Sequence, residues 1–345
     1  MPKSSSTKPI HHRLSFWGIT LLLVAAVLSA WQSRLLALGW HWLQTHAEAE
    51  HWREHGVWLP YYHARIDGKP IDGISRNASG LTWSSATGTL FTVINSPPAV
   101  AELDRDGMLL RTLPIEGARD PEGITHVRDN VFVIADERDQ QLYRVLIDAD
   151  TRTVDVRHAP RLGLAIDLNR NLGFEGVSWD AVNRRLLVSK EKSPMRVLIV
   201  SGLPELFEGT GFDLQIREWK SPRASTLFMT DLSSLSVHEA TGNILLLSDE
   251  SALIVEYTPE GRPVSVLPMW RGRHGLSRRV PQAEGLALGP NGDIFVLSEP
   301  NLFYRFERTP PAPWATAPTA DVHTDMPEAS TPEAGISTDP GRDRR

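Results

Sequence analysis

The chain has 345 residues, 41% of them hydrophobic and 23% charged, with a formal net charge of -6 and no cysteine. That is enough apolar material for a sizeable core in one large domain or two ordinary ones. The absence of a basic field argues against nucleic acid as a partner, and the absence of cysteine excludes disulfides, thiolate metal sites and cysteine nucleophiles.

Residues 1–13 form a basic start containing Lys3, Lys8 and Arg13. From Leu14 to Trp31 no residue is charged, a length near the minimum for a membrane-spanning helix. With only Arg34 following closely, the charge bias predicts a single-pass anchor over 14–32, a cytoplasmic N-terminus, and the rest of the chain on the periplasmic or extracytoplasmic side of the plasma (inner) membrane. A cleaved signal peptide is the competing reading, although Leu28-Ser29-Ala30 makes a poor cleavage pattern. Residues 33–59, with Trp40, Trp42, Trp52 and Trp58 among His, Glu and Arg, read either as a helical stalk or as a helix packed on the following domain. At the far end, 309–345 is rich in Pro, Thr and Ala and lacks apolar periodicity, the composition of a disordered tail.

Between these ends, over 60–308, the sequence repeats. Each unit opens with a small or acidic residue, then Gly or Ser, then a short apolar strand: "SGLTW" at Gly80, "EGITH" at Gly123, "EGVSW" at Gly176, "SSLSV" at Ser234 and "EGLAL" at Gly285. A second strand follows ("LFTVINS", "VFVIADE", "RLLVSKE", "ILLLSDE", "IFVLSEP") and then a third ("AVAEL", "QLYRV", "MRVLIV", "LIVEY", "LFYRF"). Starts spaced by 43, 53, 58 and 51 residues predict an all-β, five-bladed propeller of four-stranded antiparallel blades. The fifth unit stops at its third strand, while "YYHARID" at 61–67 precedes the first unit without a partner. Pairing that segment as the outer strand of the last blade would close the ring and hide an open edge.

If the first strand of each blade is innermost, Glu122, Glu175 and Glu284 meet at one mouth of the central channel, with Ser79 and Ser233 at the matching positions. Glu137, Glu191, Glu250 and Glu299 end the second strands and form a second ring on the same face. Three carboxylates in a narrow channel must be protonated or bridged by a cation, and oxygen donors without His or Cys suit Ca2+ better than magnesium or manganese. The alternative is that each inner glutamate accepts backbone N–H groups of the neighbouring blade and locks blade to blade. For the outer four, with Arg138, Lys190 and Lys192 adjacent, ordinary surface ion pairs are expected. His126 and His238, at the ends of first strands, read as exposed turn residues. The loop "WRGRHGLSRRVPQAEG" carries Arg271, Arg273, His274, Arg278 and Arg279 and delivers Glu284; it would hold an anionic ligand or balance the acidic rim. No Gly-x-Ser-x-Gly elbow or phosphate-binding glycine loop occurs, which weakens nucleophilic hydrolase and nucleotidase readings.

The words "FTVINSP", "FVIADERD", "GFEGVSWD", "SKEKSP", "GLSRRVPQAEG" and "VLSEPNLFYRF" resemble the SdiA-regulated (YjiK-like) protein family over about Ser75 to Phe306. The resemblance implies a five-bladed propeller distantly similar to NHL-repeat propellers, with a calcium site and no assigned activity. Six-bladed relatives of the gluconolactonase type hold a catalytic metal through acids and an asparagine at the starts of innermost strands. The matching positions here are Glu122, Glu175 and Glu284, with Asn77 or Asp231 nearby. The leading expectation is therefore a membrane-anchored propeller that binds calcium at its channel mouth and presents that face to a small molecule or protein. The alternatives are a metal-dependent, lactonase-type hydrolase and a scaffold in which calcium only ties blades together.

Overall fold

The structure is a computed structural model and describes residues 11–32, 35–164, 173–191, 195–211, 213–219, 228–311 and 313–314. The tail expected at 309–345 lies outside these residues beyond Trp314, as does Lys192.

The chain enters through α1 (His11–Gln32), α2 (Leu35–Ala47) and α3 (Ala49–His55), and β1 (Tyr62–Pro70) follows. Five sheets come next. The first is β2 (Ala78–Ser84), β3 (Thr89–Asn95), β4 (Pro98–Leu103) and β5 (Leu109–Glu116). The second is β6 (Pro121–Arg128), β7 (Val131–Asp136) and β8 (Gln141–Leu146), completed after the short β9 (Val154–Asp155) by β10 (Arg161–Gly163). β9 steps sideways and pairs in parallel with β5 of the preceding blade. The third is β11 (Phe174–Asp180), β12 (Arg185–Lys190), β13 (Arg196–Ser201) and, beyond α4 (Leu203–Glu208), β14 (Gln215–Glu218). The fourth is β15 (Ser234–Val237), β16 (Ile244–Ser248), β17 (Leu253–Tyr257) and β18 (Pro263–Pro268). The fifth is β19 (Ala283–Leu288), β20 (Ile294–Ser298) and β21 (Leu302–Arg308), with β1 as its outer strand.

β1 runs antiparallel to β21 from Tyr62↔Arg308 to Pro70↔Leu302, which is the ring closure expected from the unpartnered 61–67 segment. The innermost strands pack against one another in the cyclic order β2, β6, β11, β15, β19 and back to β2.

The second strands read as unbroken apolar runs because both of their faces are buried, each against a neighbouring blade. Five apolar clusters fill the five gaps. Phe91, Ile124 and Phe132 fill the gap between blades 1 and 2, and Val133, Phe174 and Leu186 the next. Leu187, Leu235 and Leu246 follow, then Leu247, Leu286 and Val296, and finally Leu81, Leu90 and Phe295 between blade 5 and blade 1.

The helical segment before the ring is docked at its C-terminal end. Ala49, Trp52 and Trp58 pack on Val264 of β18, whereas Trp40 and Trp42 stay exposed. The fully buried Glu256 of β17 accepts the Val57 and Trp58 N–H groups at 2.7 and 3.0 Å, along with donors from Asn243 and Ser265. In α1 the described side chains, Trp17 to Trp31, are nearly all exposed and apolar. Among the described residues no helix is long and apolar enough to cross a membrane.

Candidate functional site

The glycine in each repeat word has a steric reason. Around the channel the innermost strands touch backbone to backbone. A Cβ on Gly123 would sit 2.7 Å from the Glu175 carbonyl oxygen, and one on Gly176 would sit 2.9 Å from Leu235 N. At Gly285 it would meet Gly80 C at 3.1 Å, and Gly80, at φ +55°, closes the circle against the Glu122 carbonyl.

The acid that precedes the glycine sits where the ladder is broken. In blade 2 the pairing jumps from Pro121↔Asp136 to Gly123↔Ala135 and leaves Glu122 as an extra residue. Blade 5 skips Glu284 in the same way, between Ala283↔Ser298 and Gly285↔Leu297. In blade 3 the irregularity falls between Phe174 and Val177 and takes in Glu175. A β-bulge re-aims the side chain it carries. Of the two blades with serine in place of glutamate, blade 1 keeps an irregularity between Ser79 and Thr82, and blade 4 pairs β15 with β16 without interruption.

Blade-to-blade locking on the innermost strands belongs to hydroxyls, not to the inner glutamates. In the two blades without a glutamate, Ser79 Oγ donates to the Glu122 carbonyl at 2.9 Å and Ser233 Oγ to the Ala283 carbonyl at 2.6 Å. Three residues further along the strand, Thr82 accepts the His126 N–H at 3.1 Å, and Thr125 and Ser178 each accept the N–H of the following blade at 3.0 Å, from Trp179 and Val237. Among the described residues the carboxylates of Glu175 and Glu284 take no hydrogen bond and no ion pair, while Glu122 takes one, from Asn95 Nδ2 at 2.8 Å. The alternative in which each glutamate accepts backbone N–H groups from the next blade is therefore corrected.

Enclosure without donors sets the electrostatics. Glu122 is pushed up to about 7, chiefly by burial and against the Asn95 hydrogen bond, with Asp120 and Glu137 adding repulsion. Burial pushes Glu284 up to about 9, and Asp249, Glu122 and Glu299 push in the same direction. Glu175 is raised well above the usual carboxylate range by burial and then by Glu122, Glu137 and Glu284. All three are surrounded by protein yet keep a fraction of their surface accessible, as expected of side chains facing a channel. Carboxylate oxygens of Asp120, Glu122 and Glu137 lie within 4.8 Å of one another, close enough to hold one metal ion. Burial also raises Asp120, Glu137 and Glu299. The mouth can hold protons or a hard cation, and its donor set contains no nitrogen or sulfur ligand.

The remaining expected residues are dispersed. Asp231, ahead of β15, turns to the β16–β17 turn of the same blade, where it accepts Ser248 Oγ and the N–H groups of Asp249 and Glu250. Asn77 adopts a left-handed conformation at φ +63°, and its carbonyl accepts the Asn95 N–H. Glu137 is not a surface ion pair: it accepts the Gly173 N–H at 3.0 Å and faces Glu122 and Asp120. Lys190, expected at the surface, is buried and has a partner. Glu191 acts on both Glu175 and Glu284, Glu299 acts on Glu284, and Glu250 has a partner of its own.

His274 lies half-buried along the outer edge of blade 5. Its Nδ1 donates to the Tyr62 carbonyl at 2.7 Å, and its own carbonyl accepts the Ala64 N–H. Arg271, Arg273 and Arg278 are exposed in the same loop, and Arg279 reaches the rim through the Asp249 and Glu250 carbonyls. His238 is not an exposed turn residue: it is buried against Trp314, and burial lowers it to about 4. His126 is half-buried and bonds to the Asp129 carbonyl. Sequence reasoning missed Asp120, Asn95 and Asp249. The "DPEG" spacing and the "VIN" and "LSD" strand ends were the available signals.

The sequence model of a family described as SdiA-regulated matches residues 54–307. Solved structures similar to this chain include a streptogramin B lyase, 9% identical over 72% of this chain and 99% of that one, with a TM-score of 0.40. A luciferin-regenerating enzyme is 11% identical over 72% and 97%, with a TM-score of 0.46. A glutaminyl cyclase of Myxococcus xanthus is 14% identical over 71% and 95%, also at 0.46. At such distances these likenesses bear on neither ligand nor chemistry.

Proposed function

The chain belongs to the SdiA-regulated family, and from that premise we propose that it binds a divalent cation, calcium by preference, at the channel mouth and presents that face to a ligand or partner. The observation that carries the reading is the imbalance of the inner ring: of three enclosed carboxylates only Glu122 has neutral donors, Asn95 and Ser79, beside it. A cation replaces the missing donors and removes the mutual repulsion. Glu122, with Asp120 and Glu137 beside it, would supply the oxygens, while Glu175 and Glu284 stand outside that group and close enough to repel it. Calcium accepts six to eight oxygens in irregular geometry, which suits a ring not built as an octahedron.

The proposal includes an N-terminal anchor that holds the propeller outside the cytoplasm. Its support is the uncharged run from Leu14 to Trp31 with basic residues before it, and the apolar exposure of Leu21, Leu22, Val24 and Leu28. Retention of the full chain in the membrane fraction after an alkaline wash tests this part.

The cation reading is tested by thermal unfolding of the full chain, stripped with a chelator and then titrated with calcium or magnesium chloride at fixed ionic strength. At 100 times its dissociation constant a native-specific ion adds about 2.7 kcal/mol. Calcium is expected to raise the midpoint of the natural protein and to lose most of that effect in Glu175→Gln. An equal rise in both proteins overturns the reading. Calcium-dependent turnover of lactones or esters that Glu175→Gln abolishes would shift the conclusion to the hydrolase alternative.

A further inference from the structure

On the face opposite the carboxylate mouth, blades 2 and 3 enclose a cavity of about 380 Å³. Val133 and Leu203, both buried, line it with Trp179 and Phe207. Against this apolar wall stands Arg144. In the register of blade 2, Arg144 opposes Val133 and so shares its face, the one that packs against blade 3.

Several arginines elsewhere in the protein meet carboxylates. Arg111 binds Glu102, Arg157 binds Glu116 and Asp155, Arg185 binds Asp180, and Arg305 binds Asp293. Arg144 is a partly buried residue, and its guanidinium has no hydrogen bond and no ion pair among the described residues. At the rim Arg128 is already tied to Glu208 of α4 at 2.5 Å, a link that joins the two blades across the cavity. A permanently charged fork with five donors, set in a lining of Val133, Trp179 and Phe207 with Arg184 nearby, has no anion of its own. The volume is that of a small-ligand site, and the wall would take an aromatic or aliphatic body.

We propose that this interblade cavity binds a small amphipathic carboxylate, whose acid group pairs with Arg144 while its apolar body lies against Trp179 and Phe207. The site is independent of the cation reading, because none of its residues belongs to the mouth.

The test uses two probes of one shape, 4-phenylbutyrate and 4-phenylbutanol, titrated into the full chain by calorimetry and ligand-observed NMR. The acid is expected to bind about tenfold or more tightly than the alcohol, since a charge-assisted pair forms with one and not with the other. Arg144→Met, which keeps the stem, should erase the preference while leaving alcohol binding in place; Arg144→Lys should retain part of it. Equal affinities for the two probes in the natural protein, no binding of either, or a preference that survives Arg144→Met would each overturn the proposal. The first comparison needs no variant and so holds even if Arg144→Met fails to fold.

Discussion

Raising the pH of the metal-free protein forces charge into the channel mouth, and Glu284 sets the scale. In the unfolded chain this carboxyl ionises near 4.5, whereas in the fold it keeps its proton to about 9. Between those values the folded state binds more protons, so stability falls as pH rises and the loss is complete above the folded value. Burial lowers His238 to about 4 and also lowers His126 and His274, so these groups act in the opposite direction, but only below their ordinary 6.5. The window from pH 6.5 to 9 therefore isolates the carboxylates. Across it, ionising Glu284 costs about 3 kcal/mol at 1.36 kcal/mol per pH unit. A propeller of this size loses roughly 2–4 °C per kcal/mol, so the midpoint should drop by roughly 6–12 °C. Saturating calcium should flatten the profile, because the bound ion keeps the carboxylates ionised at every pH in the window. Differential scanning calorimetry at matched ionic strength, with and without calcium and with Glu284→Gln, measures this. A flat or rising metal-free profile, or a calcium shift of equal size at pH 6.5 and 9, would refute the reasoning.

Gly123→Ala should cost about 1–3 kcal/mol in urea unfolding, because its Cβ would press on the Glu175 backbone carbonyl, which cannot swing away as a side chain can. Glu256→Ala should destabilise by about 3 kcal/mol or more, since it strands four donors, and should raise hydrogen exchange at Val57 and Trp58. His274→Ala removes one bond to the closing strand. A loss of about 1 kcal/mol is expected, with faster exchange confined to β1 and no change in calcium binding.

The repeat itself was legible because it is written locally. Each "EG" word, each apolar second strand and each turn is specified within a few residues, so strand length and period together predict blades, and the spare segment at 61–67 predicts how the ring closes. The placement of Glu122, Glu175 and Glu284 on first strands also followed from the sequence. What the glutamates do there did not follow. Ser79 and Ser233 looked like gaps in an acidic ring, yet they are the latches to the next blade. Asp231 looked like a ligand and caps the β16–β17 turn, while Asp120 and Asn95, which join Glu122, sat in words that were read only for their strands. These assignments rest on contacts between residues roughly 15 to 50 positions apart, and on a one-residue bulge that turns a side chain from the sheet toward the axis. Local periodicity decides that five strands will surround a channel. Only the closed ring, by bringing their bulges together where water is scarce and donors are few, decides which side chains must share a charge.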